Sequence, residues 1–297
     1  MPTPDPGRPQ VAVVSAHYYP EYVEQSLRYL EQMCERLQPQ RCVLVANNPM
    51  LLPALQEAAA RSPHTASALL HDNSGLEFGA YQAGLDRLLD VGEPDWTVIL
   101  NDTFAIHQCF SRPMRRHFVG AVTTIDDHDT PIVVGQVESL PRSFDLLGLR
   151  MHRWITTNAF ALNGGALRVL KHRLRCAEPD DLVAGSTPAD AFFSPRLDPV
   201  LREHLGRWLF VPAGEMSWYR AAPLDAQNAP VFARKARSIL QEKYLSARLE
   251  AAGTIFADIK QMSSSDKLLQ RVDAMAFALR RYRRFARPVP RSGDPPQ

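Results

Sequence analysis

Four short apolar runs separated by helix-length segments constrain this chain more than any other feature. They lie at residues 11–16, 42–46, 66–70 and 96–100, and each is too short and too continuously apolar for an amphipathic helix. Such runs suit strands buried on both faces. Between the first two, Val23, Leu27, Leu30, Cys34 and Leu37 recur at helical spacing and place one apolar stripe on a helix. A helical stretch follows at 51–60, and Phe78, Tyr81, Leu85 and Leu88 mark another before the fourth run. Strand and helix alternating in this way predict an α/β fold with a doubly wound, mostly parallel sheet, because crossovers between parallel strands are right-handed.

Sheets of this kind bind ligands outside the carboxyl ends of their strands. The residues just after each run are polar: Ser15 and His17 close the first, Asn47 and Asn48 the second, Asp72 and Asn73 the third, Asn101, Asp102 and Thr103 the fourth. The segment 72–81 also carries Gly75 and Gly79 at a strand-to-helix turn, where backbone amides and a helix N-terminus can approach an anion. The same residues would serve an ordinary turn, with Asn73 or Ser74 capping the helix. Asp102 sits where a carboxylate can bind Mg2+ or Mn2+ and let the ion neutralise a diphosphate, or where it can simply close a turn.

With 297 residues and 45% hydrophobic content, the chain can bury a substantial core. Its 34 basic and 32 acidic residues give a net charge of only +2, which supplies no global attraction for nucleic acid. No apolar run is long enough to span a bilayer and residues 1–10 do not read as a signal peptide, so a cytoplasmic protein is expected. The four cysteines lack paired spacing, which predicts reduced thiols and no zinc site.

The organisation predicted is a flexible lead over 1–9, a ligand-binding domain over 10–225 and a helical region over 226–297 ending in a disordered tail. Further strands are expected near 131–137 and 154–162, and a basic helix over 166–175. Arg234, Lys235, Arg237 and Lys243 form a basic set that could hold a diphosphate or be a solvated helix face. From 266 to 287, Leu268, Leu269, Val272, Met275, Ala276, Leu279 and Tyr282 form an apolar stripe among Arg271, Arg280, Arg281, Arg283, Arg284 and Arg287. That pattern suits a peripheral helix on the anionic cytoplasmic face of the inner membrane, or a helix docked on the domain with a basic outer face.

The segment Asn73-Ser74-Gly75-Leu76-Glu77-Phe78-Gly79-Ala80-Tyr81, followed by Leu100-Asn101-Asp102-Thr103, resembles the rhamnan-synthesis-type glycosyltransferases of bacterial surface polysaccharides, within the broader GT-A fold. The resemblance covers about residues 10–105. It implies a Rossmann-like GT-A domain with a nucleoside diphosphate sugar bound across the first four strands by Ser15, His17, Asn47, Asp72, Asn73, Gly75, Glu77, Gly79, Asn101 and Asp102. It further implies Asp102 as the metal contact and a glycan or lipid-linked acceptor. Glu77 replaces the aspartate usual in that motif, and Asp102 is the single carboxylate of its own. The stretch 154–160 corresponds in pattern to an acceptor-side pocket wall. An inverting transferase needs a general base, and the resemblance implies Asp190, with Asp181 and Glu178 as competitors; Asp190 could instead cap the segment after Pro188. His17, His107 and His152 are each readable as a metal or phosphate ligand or as a packed histidine. Two rivals remain at this level. One is a non-catalytic relative that binds a glycan or a partner. The other is a nucleotidyltransferase, which would need a glycine-rich loop after the first strand; 15–19 has none.

Overall fold

A computed structural model describes residues 8–104, 106–107, 109–212 and 217–285, without the side chains of 280–285. Most of the lead expected at 1–9 and the tail beyond 285 lie outside the described residues. The chain begins with β1 (Val11–His17), α1 (Val23–Leu37), β2 (Arg41–Ala46), α2 (Leu52–Arg61), β3 (Thr65–Leu70), α3 (Leu76–Leu89) and β4 (Trp96–Asn101). It continues with α4 (Arg112–Thr124), a hairpin of β5 (Ile132–Leu146) and β6 (Leu149–Asn163), α5 (Gly164–Val169) and α6 (Pro199–Phe210). The last elements are α7 (Ala229–Ala251), β7 (Ile255–Asp258) and α8 (Ser264–Phe285).

The seven strands form one sheet in the order β3-β2-β1-β4-β6-β5-β7. Strands β1 to β4 pair in parallel, β6 runs antiparallel to both β4 and β5, and β7 is parallel to β5. The protein is thus an α/β chain on a Rossmann-like, mostly parallel sheet. Every residue of β1 is buried, as expected for a strand covered on both faces. Val11 and Val13 pack towards α1 and α4, whereas Ala12, Val14 and Ala16 pack towards α3. Alternation across the pleat sends successive side chains to opposite helical layers.

Strand order reverses between β1 and β4, because β2 and β3 extend one way from β1 and β4 lies on its other side. A crevice opens at such a switch point.

Three elements differ from the sequence expectation. The strands expected near 131–137 and 154–162 are parts of a hairpin of two 15-residue strands. Their outer halves, with Phe144, Met151 and Trp154, pack with Leu201, Leu205, Leu209 and Phe232 in a third hydrophobic cluster. The basic helix expected over 166–175 is short, ending at Val169. Past residue 226 the chain does not leave the sheet: α7 lies along β6, where Thr157 N and Oγ1 both donate to Glu242 at 2.9 Å, and β7 adds to β5.

Candidate functional site

A cleft of about 400 Å3 lies over the carboxyl ends of β1, β2 and β4 and is closed on its far side by α7 and the loop before it. Asp102, immediately after β4, shapes its floor. Its backbone N–H donates to Ala16 O at 2.9 Å, and its Oδ2 accepts from Tyr18 N and Tyr19 N, both at 2.7 Å. One carboxylate oxygen therefore ties the β1 exit to the β4 exit. Burial pushes the Asp102 carboxyl up to about 6, against the pull of the two amides, and the Glu77 and Glu21 carboxylates push it further.

Asn101 forms an Asx turn whose Oδ1 accepts from Thr103 N at 3.1 Å, Thr103 Oγ1 at 2.7 Å and Phe104 N at 3.1 Å. Asn47, at the end of β2, is buried, donates Nδ2 to Leu76 O at 3.0 Å and lies 2.8 Å from His71 Nδ1. Both asparagines line the cleft, as do Asn73, Leu76 and Glu77 from the loop before α3 and its first turn. Asn73 and Leu76 hold positive φ angles of 62° and 57°, a strained backbone of the kind found at binding loops. Glu77 accepts a hydrogen bond from Ser238 of α7, joining the two walls.

The opposite wall carries three cations, Arg220, Arg234 and Lys235, facing Asp102 and Glu77 across the cleft. Trp218 holds Arg220's loop in place by stacking on Trp208, with centroids 5.9 Å apart, and by meeting Phe232 at 5.9 Å. An aromatic rim runs from Tyr18 through Tyr19, Tyr22 and His107 to Tyr219, in successive centroid steps of 5.0, 5.3, 5.2 and 5.5 Å. Burial, with the nearby Tyr219 and Asp102, pushes the Tyr19 hydroxyl up to about 12.

Of the residues expected to contact a ligand, His17 lines the cleft, whereas Ser15, Asp72, Gly75 and Gly79 do not. Ser15 Oγ bonds His17 Nε2 at 2.9 Å, and Ser26 Oγ of α1 lies 3.2 Å from His17 Nδ1. Burial lowers this histidine to about 4, so it stays neutral beneath α1, and Ser15 does not reach the cleft. Asp72 is exposed and accepts from Ser74 N at 2.8 Å, closing the turn. Neither Gly75 nor Gly79 lines the cleft. Gly75 has φ +71° and is the N-cap of α3, which has no side-chain cap. A Cβ on Gly79 would stand 1.9 Å from Ser74 O and 2.7 Å from His71 Cε1. Gly79→Ala is accordingly expected to destabilise the fold by about 1–3 kcal/mol through displacement of this loop. Urea unfolding checks this, and a change near zero would mean that the loop yields freely.

Asp190 lies in an exposed turn, Ala189–Ala191, and neither it nor Asp181 or Glu178 lines the cleft. Of the stretch 154–160, only Asn158 does. His152 is half-exposed beside Glu250, 4.0 Å away. The basic set of α7 divides by helical phase. Arg234 and Lys235 face the cleft, whereas Arg237 donates to Asp180 O and Val183 O at 3.4 and 3.0 Å. Lys243 is buried with Nζ 3.2 Å from the Trp154 ring centroid, and burial lowers it to about 8. Trp218, Tyr219 and Arg220 escape sequence reading because a loop between two helices carries no period to assign them.

Among the described residues, no group of three His, Cys, Asp or Glu side chains is arranged to hold a metal ion. Magnesium commonly uses one or two carboxylates together with substrate phosphates. Asp102 fits that partial role, since its one occupied oxygen leaves the other for the cleft.

No protein-family model matches the chain, and no curated protein matches it. Among solved structures that do match is a mannosyltransferase from Pyrobaculum calidifontis in complex with GDP-Man and Mn2+. It is 16% identical, with 94% of this chain and 83% of that chain covered and a TM-score of 0.38. GDP-Man and Mn2+ are that protein's ligands.

Proposed function

We propose that the protein is a glycosyltransferase that takes its sugar from a nucleoside diphosphate donor held in the cleft at the β1–β4 switch point. The observation that carries this reading is the juxtaposition of Arg220, Arg234 and Lys235 with Asp102 and Glu77 in a single cleft with aromatic walls. Three cations suit a diphosphate, carboxylates suit sugar hydroxyls and a proton acceptor, and Tyr18, Tyr19 and Trp218 offer faces for a base or a sugar ring. Arg and Lys would neutralise the charge that develops on the leaving diphosphate. A Mg2+ or Mn2+ ion would enter with the donor and be held on the protein side by Asp102, adding Lewis-acid stabilisation.

In an inverting transfer the acceptor oxygen attacks the anomeric carbon, the bond from that carbon to the diphosphate oxygen breaks, and the hydroxyl proton passes to a carboxylate. Glu77 is the cleft carboxylate left for that proton, a role that Asp190, outside the cleft, is not positioned to fill. The acceptor proposed is a surface glycan or its lipid-linked precursor, on the strength of the sequence resemblance.

Thermal-shift and calorimetric titration with uridine, guanosine, adenosine and deoxythymidine diphosphates and their sugars, with and without Mn2+, tests the reading. Stabilisation by at least one is expected. Stabilisation by none would overturn it. Binding without release of nucleoside diphosphate, when a range of acceptor glycans is supplied, would favour a glycan- or partner-binding protein instead.

A further inference from the structure

Helix α8 (Ser264–Phe285) is oriented oppositely to an ordinary surface helix. Its two acidic residues face the protein: Asp273 Oδ1 accepts from Arg112 Nη2 at 2.8 Å, and Asp266 pairs with Arg116 and with His117 Nε2 at 3.0 Å. Both carboxylates are only 15% exposed. Leu268, Val272, Met275 and Leu279 point outward instead, at 64, 45, 61 and 62% exposure. Their spacing of four, three and four residues puts them in one row along the helix. Lys267 and Arg271 are exposed beside that row. Among the helix's described side chains the charged groups are Lys267, Arg271 and these two acids, so with both acids committed to α4 the outward side is apolar and basic.

We propose that the outward face of α8 docks on an anionic lipid surface. Apolar side chains of this kind bury themselves at the boundary between headgroups and acyl chains, while neighbouring lysine and arginine meet lipid phosphates. Charge selects this occupant over a second copy of the chain. Two α8 faces packed together would set Lys267 and Arg271 against their own counterparts with no acid between them. A bilayer bearing phosphatidylserine supplies the missing negative charge. No helix among the described residues is long and apolar enough to cross a membrane, so the contact is peripheral. The inference stands apart from the proposed transferase activity, which concerns the cleft of α7 and the sheet.

Co-sedimentation of the full chain with vesicles tests it, comparing pure phosphatidylcholine with a mixture containing phosphatidylserine. Binding to the mixed vesicles and much weaker binding to the neutral ones is expected. Lys267→Gln with Arg271→Gln should weaken binding by about 25-fold, from about fivefold per charge. The quadruple variant Leu268→Gln, Val272→Gln, Met275→Gln and Leu279→Gln should abolish it while leaving the melting temperature unchanged, because these side chains are already exposed. Equal binding of the quadruple variant and the wild type would overturn the proposal, as would equal affinity for neutral and anionic vesicles. Size-exclusion chromatography completes the test: a dimer that the quadruple variant dissolves would assign the face to a second copy of the chain.

Discussion

Asp102→Asn is expected to leave the fold intact, remove a pH dependence from its stability, and lower any transferase turnover by about 100-fold or more. Both backbone amides that the side chain receives go to one oxygen, Oδ2, which asparagine's carbonyl oxygen can replace. The folded carboxyl titrates at about 6 against an ordinary 3.8, so the native chain holds this proton more tightly than the unfolded chain. The resulting contribution is fully present below the unfolded value and is lost as pH rises through the folded one. It is on the order of 3 kcal/mol. Urea unfolding at intervals from pH 4 to 7 should therefore show the wild type losing stability relative to Asp102→Asn across that window. By pH 7 the variant should be at least as stable. Asp102→Ala differs, because it strands the amides of Tyr18 and Tyr19 in a buried floor and should be about 2–4 kcal/mol less stable than Asp102→Asn at every pH. If the asparagine variant proved as unstable as the alanine one, the carboxylate would be needed for more than its hydrogen bonds, and burial would not explain its titration.

Removing both α7 cations, by Arg234→Gln and Lys235→Gln together, is expected to weaken nucleoside diphosphate binding by about 100-fold, taking roughly tenfold for each charge-assisted contact. Arg234 is exposed and Lys235 half-buried, so the melting temperature should scarcely move. Arg237→Gln is the matched control one turn away. Its guanidinium holds the carbonyls of Asp180 and Val183, and its loss should lower stability without lowering affinity. Calorimetric titration at two salt concentrations reads both effects, because the double variant should also bind with a shallower salt dependence. Equal affinity losses in the double variant and in Arg237→Gln would sink the assignment of Arg234 and Lys235 to a diphosphate.

The first half of the fold was legible because its strands are short, continuous and apolar, and their helices carry one clear stripe. Val11 to His17 must be buried on both faces wherever they pack, so local pattern and tertiary position agree. The second half was harder. Phe144, Met151 and Trp154 belong to strands that extend past the parallel core of the sheet and build a separate cluster with α6 and α7. Helix α6 itself went unseen, although Asp198 caps it by accepting from Val200 N at 2.7 Å and Leu201 N at 3.3 Å. Strand β7 has four residues, too few to show a period.

The site divides along the same line. The polar ends of β1, β2 and β4 could be named from the chain alone, since strand ends in a parallel sheet must gather at one edge, and Asn47, Asn101 and Asp102 lie there. Which way each side chain points could not be read from position. Ser15 and His17 occupy the pleat positions that face α1, and their polar groups pair with one another and with Ser26. Asp72 spends its carboxylate on its own turn. Nor could spacing reveal that α7, more than a hundred residues beyond β4, would bring Arg234 and Lys235 opposite Asp102, while turning Arg237 away to Asp180 and Val183. The sequence by itself determined the alternating elements, the edge at which a ligand would meet the sheet and the amphipathic character of α8, because these follow from local period and handedness. Only the tertiary structure decided which charges share the cleft and that α8 turns its acids inward. Those facts depend on helix phase and on contacts between distant segments, and no local pattern encodes either.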